Sequence, residues 1–168
     1  MALVSKIVLS INSTLTSALD LTEAAAPHTI KKTISLATGV ALDQADLIFS
    51  DQRTLGAGAN EDLDLAGVLT DPFGIVMTFV KVKMLYVFAA AANGDYIQVG
   101  GAAATQFVNW VADPTDKVNV CPGGMLLLAT PTLAAYAVGA GATDFLRITN
   151  ADGAAAATYD IVIIGTSA

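Results

Sequence analysis

The side chains in this chain able to do chemistry are few and far apart. There is one histidine, His28, one cysteine, Cys121, and one tryptophan, Trp110. Nucleophilic catalysis needs a base beside the nucleophile. No Gly-x-Ser-x-Gly elbow presents a serine to His28, which follows Pro27 in a stretch that reads as a loop. Cys121 precedes Pro122, Gly123 and Gly124 and has no basic neighbour in sequence to hold a thiolate, so it reads as a small buried hydrophobe. One Cys and one His are too few soft ligands for zinc. Asn60, Glu61, Asp62 and Asp64 cluster oxygen ligands between Gly58 and Gly67, but their spacing does not match a calcium loop, and a solvated acidic loop is the better reading. Gly56-x-Gly58 and Gly139-x-Gly141 begin like dinucleotide fingerprints, yet Glu61 and Asp144 stand where the third glycine belongs, and an acid there repels a pyrophosphate. Each pair reads instead as a Gly/Ala turn before a strand. Trp110, Phe107, Tyr96 and Tyr136 could line a sugar-binding face, but rings of this kind also fill sandwich cores, and Trp110 between Val108 and Val111 reads as core. No catalytic residue, metal ligand or cofactor is assigned, and the expectation is a protein that is not an enzyme.

Composition points to shape rather than chemistry. Of 168 residues, 54% are hydrophobic and 14% charged, and the mean hydropathy is +0.61. The longest apolar stretch, residues 73–92, has Lys81 and Lys83 in its middle, each costing roughly 2.5–3.5 kcal/mol at the centre of a spanning helix. No membrane span is expected. Apolar content in excess of what one subunit can bury points to a homo-oligomer. The apolar run after Lys6 stops at Ser10 and Asn12, too short for a signal peptide, and with a single cysteine this fits a protein made in a cytoplasm. The net charge of −7 is concentrated: residues 43–71 hold seven acids and one base, Arg53, a balance of −6. Nucleic acid is an unsuitable partner for such a chain, because binding it requires Lys and Arg to displace phosphate counterions. The acidic segment, with Glu61, Asp62 and Asp64 at its centre, is expected to face solvent or a basic partner rather than the subunit core.

The elements that would carry these residues are strands. Val80, Val82, Met84, Tyr86 and Phe88 alternate with Lys81, Lys83, Leu85 and Val87, a period of two with one wholly apolar face. Tyr159, Ile161 and Ile163 alternate with Asp160, Val162 and Ile164, a strand buried on both sides. Shorter candidates cover residues 4–11, 30–36, 96–99, 106–111, 117–120, 125–129, 135–138 and 145–149. Turn residues separate them, among them Asn93-Gly94, Pro122-Gly123 and Asp152-Gly153. From about residue 75 onward, strands and turns recur at the roughly 8–12-residue spacing of sandwiches and barrels. The predicted fold is all-β, an antiparallel β-sandwich or jelly-roll-like body over residues 71–168. Residues 1–70 are expected to form a less regular arm or the first strands of the sandwich, one structural domain in all. Residues 17–26, 43–49 and 63–69 leave strand and helix both open.

Several segments carry a resemblance: DQADLIFSDQRTL at 43–55, EDLDLAG at 61–67, VCPGG at 120–124, YAV at 136–138, DFLRITN at 144–150 and TYDIVIIGT at 158–166. In these the chain resembles small structural proteins encoded near the head genes of tailed bacteriophages, the head decoration or cement proteins. The resemblance implies a β-rich virion subunit on the outside of the capsid. It would be a homotrimer at capsomer junctions, bound to the major capsid protein or another virion protein, and it implies no catalytic residues. The alternative is a β-sandwich recognition module of a phage tail or an adhesin, which would bind a carbohydrate or receptor through exposed aromatics.

Overall fold

The structure, a computed structural model, describes residues 2–101 and 105–168. It is an all-β sandwich from which a long hairpin extends. The strands are β1 (Ser5–Ala18), β2 (Glu23–Thr38), β3 (Gln44–Ala45), β4 (Leu47–Leu55), β5 (Asn60–Asp64), β6 (Lys81–Ala89), β7 (Ile97–Gly100), β8 (Lys117–Val120), β9 (Met125–Ala129), β10 (Tyr136–Ala137), β11 (Phe145–Asn150) and β12 (Ala157–Thr166). One sheet runs β10-β6-β12-β4, with β9 also on the outer edge of β6; the other runs β5-β11-β7-β8. Alternation along each strand turns one apolar row inward. Tyr159, Ile161 and Ile163 of β12 meet Leu146 and Ile148 of β11, and Leu63, Ile97 and Val99 fill the space beside them. All of these are buried.

The central strand β6 does not keep the uninterrupted alternation read from sequence. Ile164 of β12 pairs with Met84, but the next residue, Gly165, pairs with Val82, so Lys83 is an extra residue, a β-bulge. The bulge reverses the phase of the strand. Val82 points into the sandwich together with Leu85, Val87 and Ala89, whereas Met84 and Tyr86 face the opposite side. The single apolar face expected for Val82, Met84 and Tyr86 is thus divided between two apolar layers. Gly165 is required opposite the bulge, because a Cβ there would collide with the carbonyl oxygen of Lys81 and the ring of Phe79. Lys83 itself is fully buried. Its ammonium donates to the carbonyl oxygens of Ala41 at 2.6 Å and Pro131 at 3.4 Å. Burial lowers its pKa, with the neighbouring charge of Lys81 acting in the same direction.

The second apolar layer seats the hairpin. Strands β1 and β2 pair without interruption from Ser5 with Leu36 to Ala18 with Glu23, and a four-residue loop joins them. At about 3.4 Å per residue, β1 is roughly 45 Å long. Only its root touches the body: Ile7, Ile34 and Leu36 pack on Met84, Tyr86, Val162 and Ile164. Thr38 ties the root to Leu3, and β3 pairs in parallel with the end of β2. From Leu9 outward both faces are exposed. Pro27 fits within β2 because that strand is an edge along the free part of the hairpin, where a missing N–H costs no ladder bond.

Several sequence expectations change at this level. Residues 1–70 hold both an arm and first strands of the sandwich, β4 and β5, but the arm is a regular hairpin rather than a less regular segment. Residues 17–26 close the hairpin rather than form a helical turn, and 43–49 become β3 and the start of β4. The expected strand at 106–111 reduces to a single parallel bridge between Gln106 and Phe145, followed by a turn closed by the Val111 N–H on the Val108 carbonyl. Cys121 is exposed rather than buried.

Ile161→Ala empties the centre of the sandwich and is expected to cost ~2–5 kcal/mol, whereas Leu15→Ala, at a 77% exposed position of the hairpin, stays within about 0.5 kcal/mol. Denaturant unfolding of the two variants checks the assignment of body and arm.

Candidate interaction surface

The acidic residues singled out in the sequence fall on β5, where the period of two separates them. Glu61 lies opposite Ile148 and Leu63 opposite Leu146, on the inner face; Asp62 lies opposite Arg147 and Asp64 opposite Phe145, on the outer face. Glu61 and Asp62 are adjacent in sequence and so cannot share a surface.

Glu61 is part of a polar clasp across the mouth of the sandwich. Its Oε2 accepts from the Arg53 Nε at 2.8 Å, and its Oε1 accepts from the Tyr159 hydroxyl at 2.7 Å. Arg53 and Tyr159 lie opposite each other on β4 and β12 of the first sheet, and Glu61 belongs to the second. The three groups therefore join the two layers. Arg53 also reaches Asp51 at 2.9 Å. Burial pushes the Tyr159 phenol far above its ordinary range, and donation to the Glu61 carboxylate, which stabilises the neutral phenol, adds to this. The hydrogen bonds and charges of Glu61, with a further bond from Asp51, raise Arg53 against a desolvation that is the largest single influence on it and acts the other way.

Asp62 forms a bidentate pair with Arg147, at 2.8 Å to Nε and 2.7 Å to Nη2, on the outer face of the second sheet. That hydrogen bonding raises the Arg147 pKa. Asp64 accepts from the Ala66 N–H at 2.9 Å and shapes the turn leaving β5. The centre of the acidic segment is thus engaged within the subunit. Two further acids of the segment, Asp46 and Asp71, line a shallow apolar groove of about 180 Å³ together with Leu3, Ile48, Phe73 and Met77. Asp71 Oδ1 accepts from the N–H groups of Phe73 and Ile75, holding a loop on which Val68, Phe73, Ile75 and Val76 are exposed. Charge arithmetic on the sequence could have pointed to this rim; the exposed apolar cluster has no sequence signal, because Phe73 to Met77 reads like any buried run.

The remaining sequence candidates are dispersed. His28 stands on the hairpin opposite Ser13, remote from Cys121 at the turn after β8. Among the described residues no three of His, Cys, Asp and Glu converge as a metal site would require. Gly56 and Gly139 open tight turns before β5 and β11. Phe107 is buried, and Trp110 is half-buried against the core, its Nε1 donating to the Phe107 carbonyl at 2.9 Å. Among the described residues, Phe73 is the one aromatic side chain that is largely exposed. Among the described residues no helix is long and apolar enough to cross a membrane. In comparisons with family models, curated proteins and solved structures, nothing matched this chain.

Glu61→Gln removes the charge from a partly buried clasp and is expected to destabilise by about 1–3 kcal/mol. Asp62→Asn, on an exposed pair, should cost ~1 kcal/mol or less. Equilibrium unfolding separates the two. The Tyr159 phenol gives a second test. Its folded-state pKa lies above the unfolded value of ~10, so the stabilisation is complete below about pH 10 and is lost as pH rises beyond it. In an ultraviolet titration Tyr159 should ionise only as circular dichroism reports unfolding, and Tyr159→Phe should remove that share of the absorbance change.

Proposed function

We propose that this chain is a non-enzymatic structural subunit of a phage virion, a decoration or cement protein that binds the capsid surface and stabilises the shell. The observation that carries the proposal is the hairpin: a regular two-stranded arm, rooted in a rigid sandwich and uncovered on both faces beyond its root. An isolated two-stranded ribbon is marginal in water, so an arm of this length is suited to a partner surface. The residues that carry the phage resemblance at 43–55, 61–67, 144–150 and 158–166 lie largely on β4, β5, β11 and β12. They would supply the scaffold, leaving the arm and loops to make contacts. The major capsid protein is the proposed partner, and a homotrimer made in the host cytoplasm is the proposed form. Carbohydrate recognition has less to stand on, since Phe107 and Trp110 are spent on the core and Tyr96 and Tyr136 are half-buried.

The test is sedimentation of the protein with shells assembled from the major capsid protein of the phage that encodes it. Saturable binding at micromolar concentration, with a rise in the melting temperature of the shell, is expected. Folded protein that stays in the supernatant at about 10 µM, a concentration at which a stable contact would be formed, overturns the proposal.

A further inference from the structure

The two edges of the arm are not alike. The Leu19 N–H donates to the Thr22 carbonyl at 2.8 Å, and with the register of the hairpin this aims the odd-numbered amides of β1 at β2. Bonded and non-bonded positions alternate in an antiparallel pair. Ser10, Asn12, Thr14, Thr16 and Ala18 therefore turn both N–H and C=O away from β2. Among the described residues β1 pairs with β2 alone, so this row of backbone groups has no partner in the subunit.

The outer edge of β2 is guarded. Its outward positions include Glu23, Pro27 and Lys31, so one amide is missing and two side chains are charged. These are the devices that keep an exposed edge from pairing with another chain. The edge of β1 has none of them. From Ile7 to Leu19 there is no charge, no proline and no glycine. A two-stranded ribbon is also marginal by itself, whereas three or more strands with an apolar face are stable. One edge of the arm is thus closed to further strands and the other is open to them.

We propose that the free edge of β1 pairs antiparallel with the same edge of a second copy, about a two-fold axis at Thr14, so that two arms form one four-stranded sheet. A two-fold contact of this kind uses one self-complementary patch, and the open row from Ser10 to Ala18 is centred on Thr14. Thr14 then faces Thr14 of the other copy, Asn12 faces Thr16, and Ser10 faces Ala18. These outward positions exchange about ten main-chain hydrogen bonds, the number a typical specific interface carries. Hydroxyl pairs such as Thr14 with Thr14 add to the seam. Charge agrees with the antiparallel sense. It brings Lys6 of one copy to the end of the edge where Asp20 of the other stands, while a parallel seam would set Lys6 beside Lys6. The axis is perpendicular to the sheet, so Leu9, Ile11 and Leu15 of both copies lie on one side. The seam takes up an edge and leaves both faces of the arm open to a shell.

Light scattering and cysteine cross-linking test it. Asn12→Lys with Thr16→Lys sets lysines against one another across the seam; both positions are exposed, so circular dichroism should match the wild type. At about 100 µM, above the Kd of any stable assembly, the wild type is expected to have at least twice the mass of this variant. Thr14→Pro, which removes one outward amide opposite Pro27 and leaves the ladder to β2 intact, should behave like the lysine variant. Register is read in a Cys121→Ser background. Thr14→Cys should form an intermolecular disulfide on mild oxidation, because bonded antiparallel partners stand about 5.5 Å apart at Cα. Ser10→Cys, roughly 27 Å from its own copy in this register, should not, yet it should link to Ala18→Cys in a mixture. A monomeric wild type overturns the proposal, even if that monomer saturates capsid shells. So does a lysine variant of wild-type mass, or a Ser10→Cys disulfide that forms as fast as that of Thr14→Cys. A paired protein with no affinity for shells leaves the seam standing and counts against the virion role alone.

Discussion

Strand β6 must serve two apolar layers, and the structure turns on how it does so. It is central in its sheet, with β12 on one side and β9 and β10 on the other. One of its faces closes the sandwich and the other seats the arm. A strictly alternating strand with lysines at 81 and 83 would put a charge into one of those layers. The bulge at Lys83 avoids this by changing phase, so that Val82 and Leu85 both point inward while Met84 is freed for the arm. The buried ammonium is turned sideways onto the carbonyls of Ala41 and Pro131. A buried charge is tolerated only when its hydrogen bonds are made. Lys83 therefore ties the segment after the arm to the segment after β9, and fixes the arm's root to the body.

The sandwich itself is closed by its inner rows and clasped at one edge by polar groups. Nearly all its strand pairs join residues remote in sequence: β12 pairs with β4 and β6, and β11 with β5 and β7. Topologies of this kind order slowly, because loop entropy must be overcome before the contacts form. The Arg53–Glu61–Tyr159 clasp joins the edge strands β4 and β5 of opposite sheets through the central β12. Glu61 thus contributes to the joint between layers, and much of the acidity that looks like a surface property in sequence is structural. Asp46, which accepts from the Ser167 N–H at 2.9 Å, and Asp71, which accepts from the N–H groups of Phe73 and Ile75, border the exposed Phe73 loop.

Form and function meet in the division between a body with a dense core and an arm with none. The body buries Phe49, Phe79, Phe107 and Tyr159 among its aromatics, together with Lys83. What it leaves outside is the ribbon beyond Leu9 and the apolar groove beside Phe73. The arm is what carries the function proposed above.

The sequence alone determined the fold class, because a two-residue period leaves its mark on composition at every turn: Tyr159, Ile161 and Ile163 alternate with their neighbours, and the Gly and Asn-Gly turns fall between runs. It also determined that few reactive side chains exist to converge. Tertiary structure alone decided the rest, for identifiable reasons. A bulge is one residue of register and leaves no trace in hydropathy, so the split face of β6 was invisible. Strand partners more than a hundred residues apart, such as Gln52 and Asp160, cannot be paired from periodicity. Residues 17–26 were ambiguous because alanine and threonine fit a strand or a short helix, and only the pairing of β1 with β2 fixed them. Glu61 looked like Asp62 in sequence and became its opposite in the structure, since adjacent residues of a strand face opposite ways and only the second sheet decided which side was in.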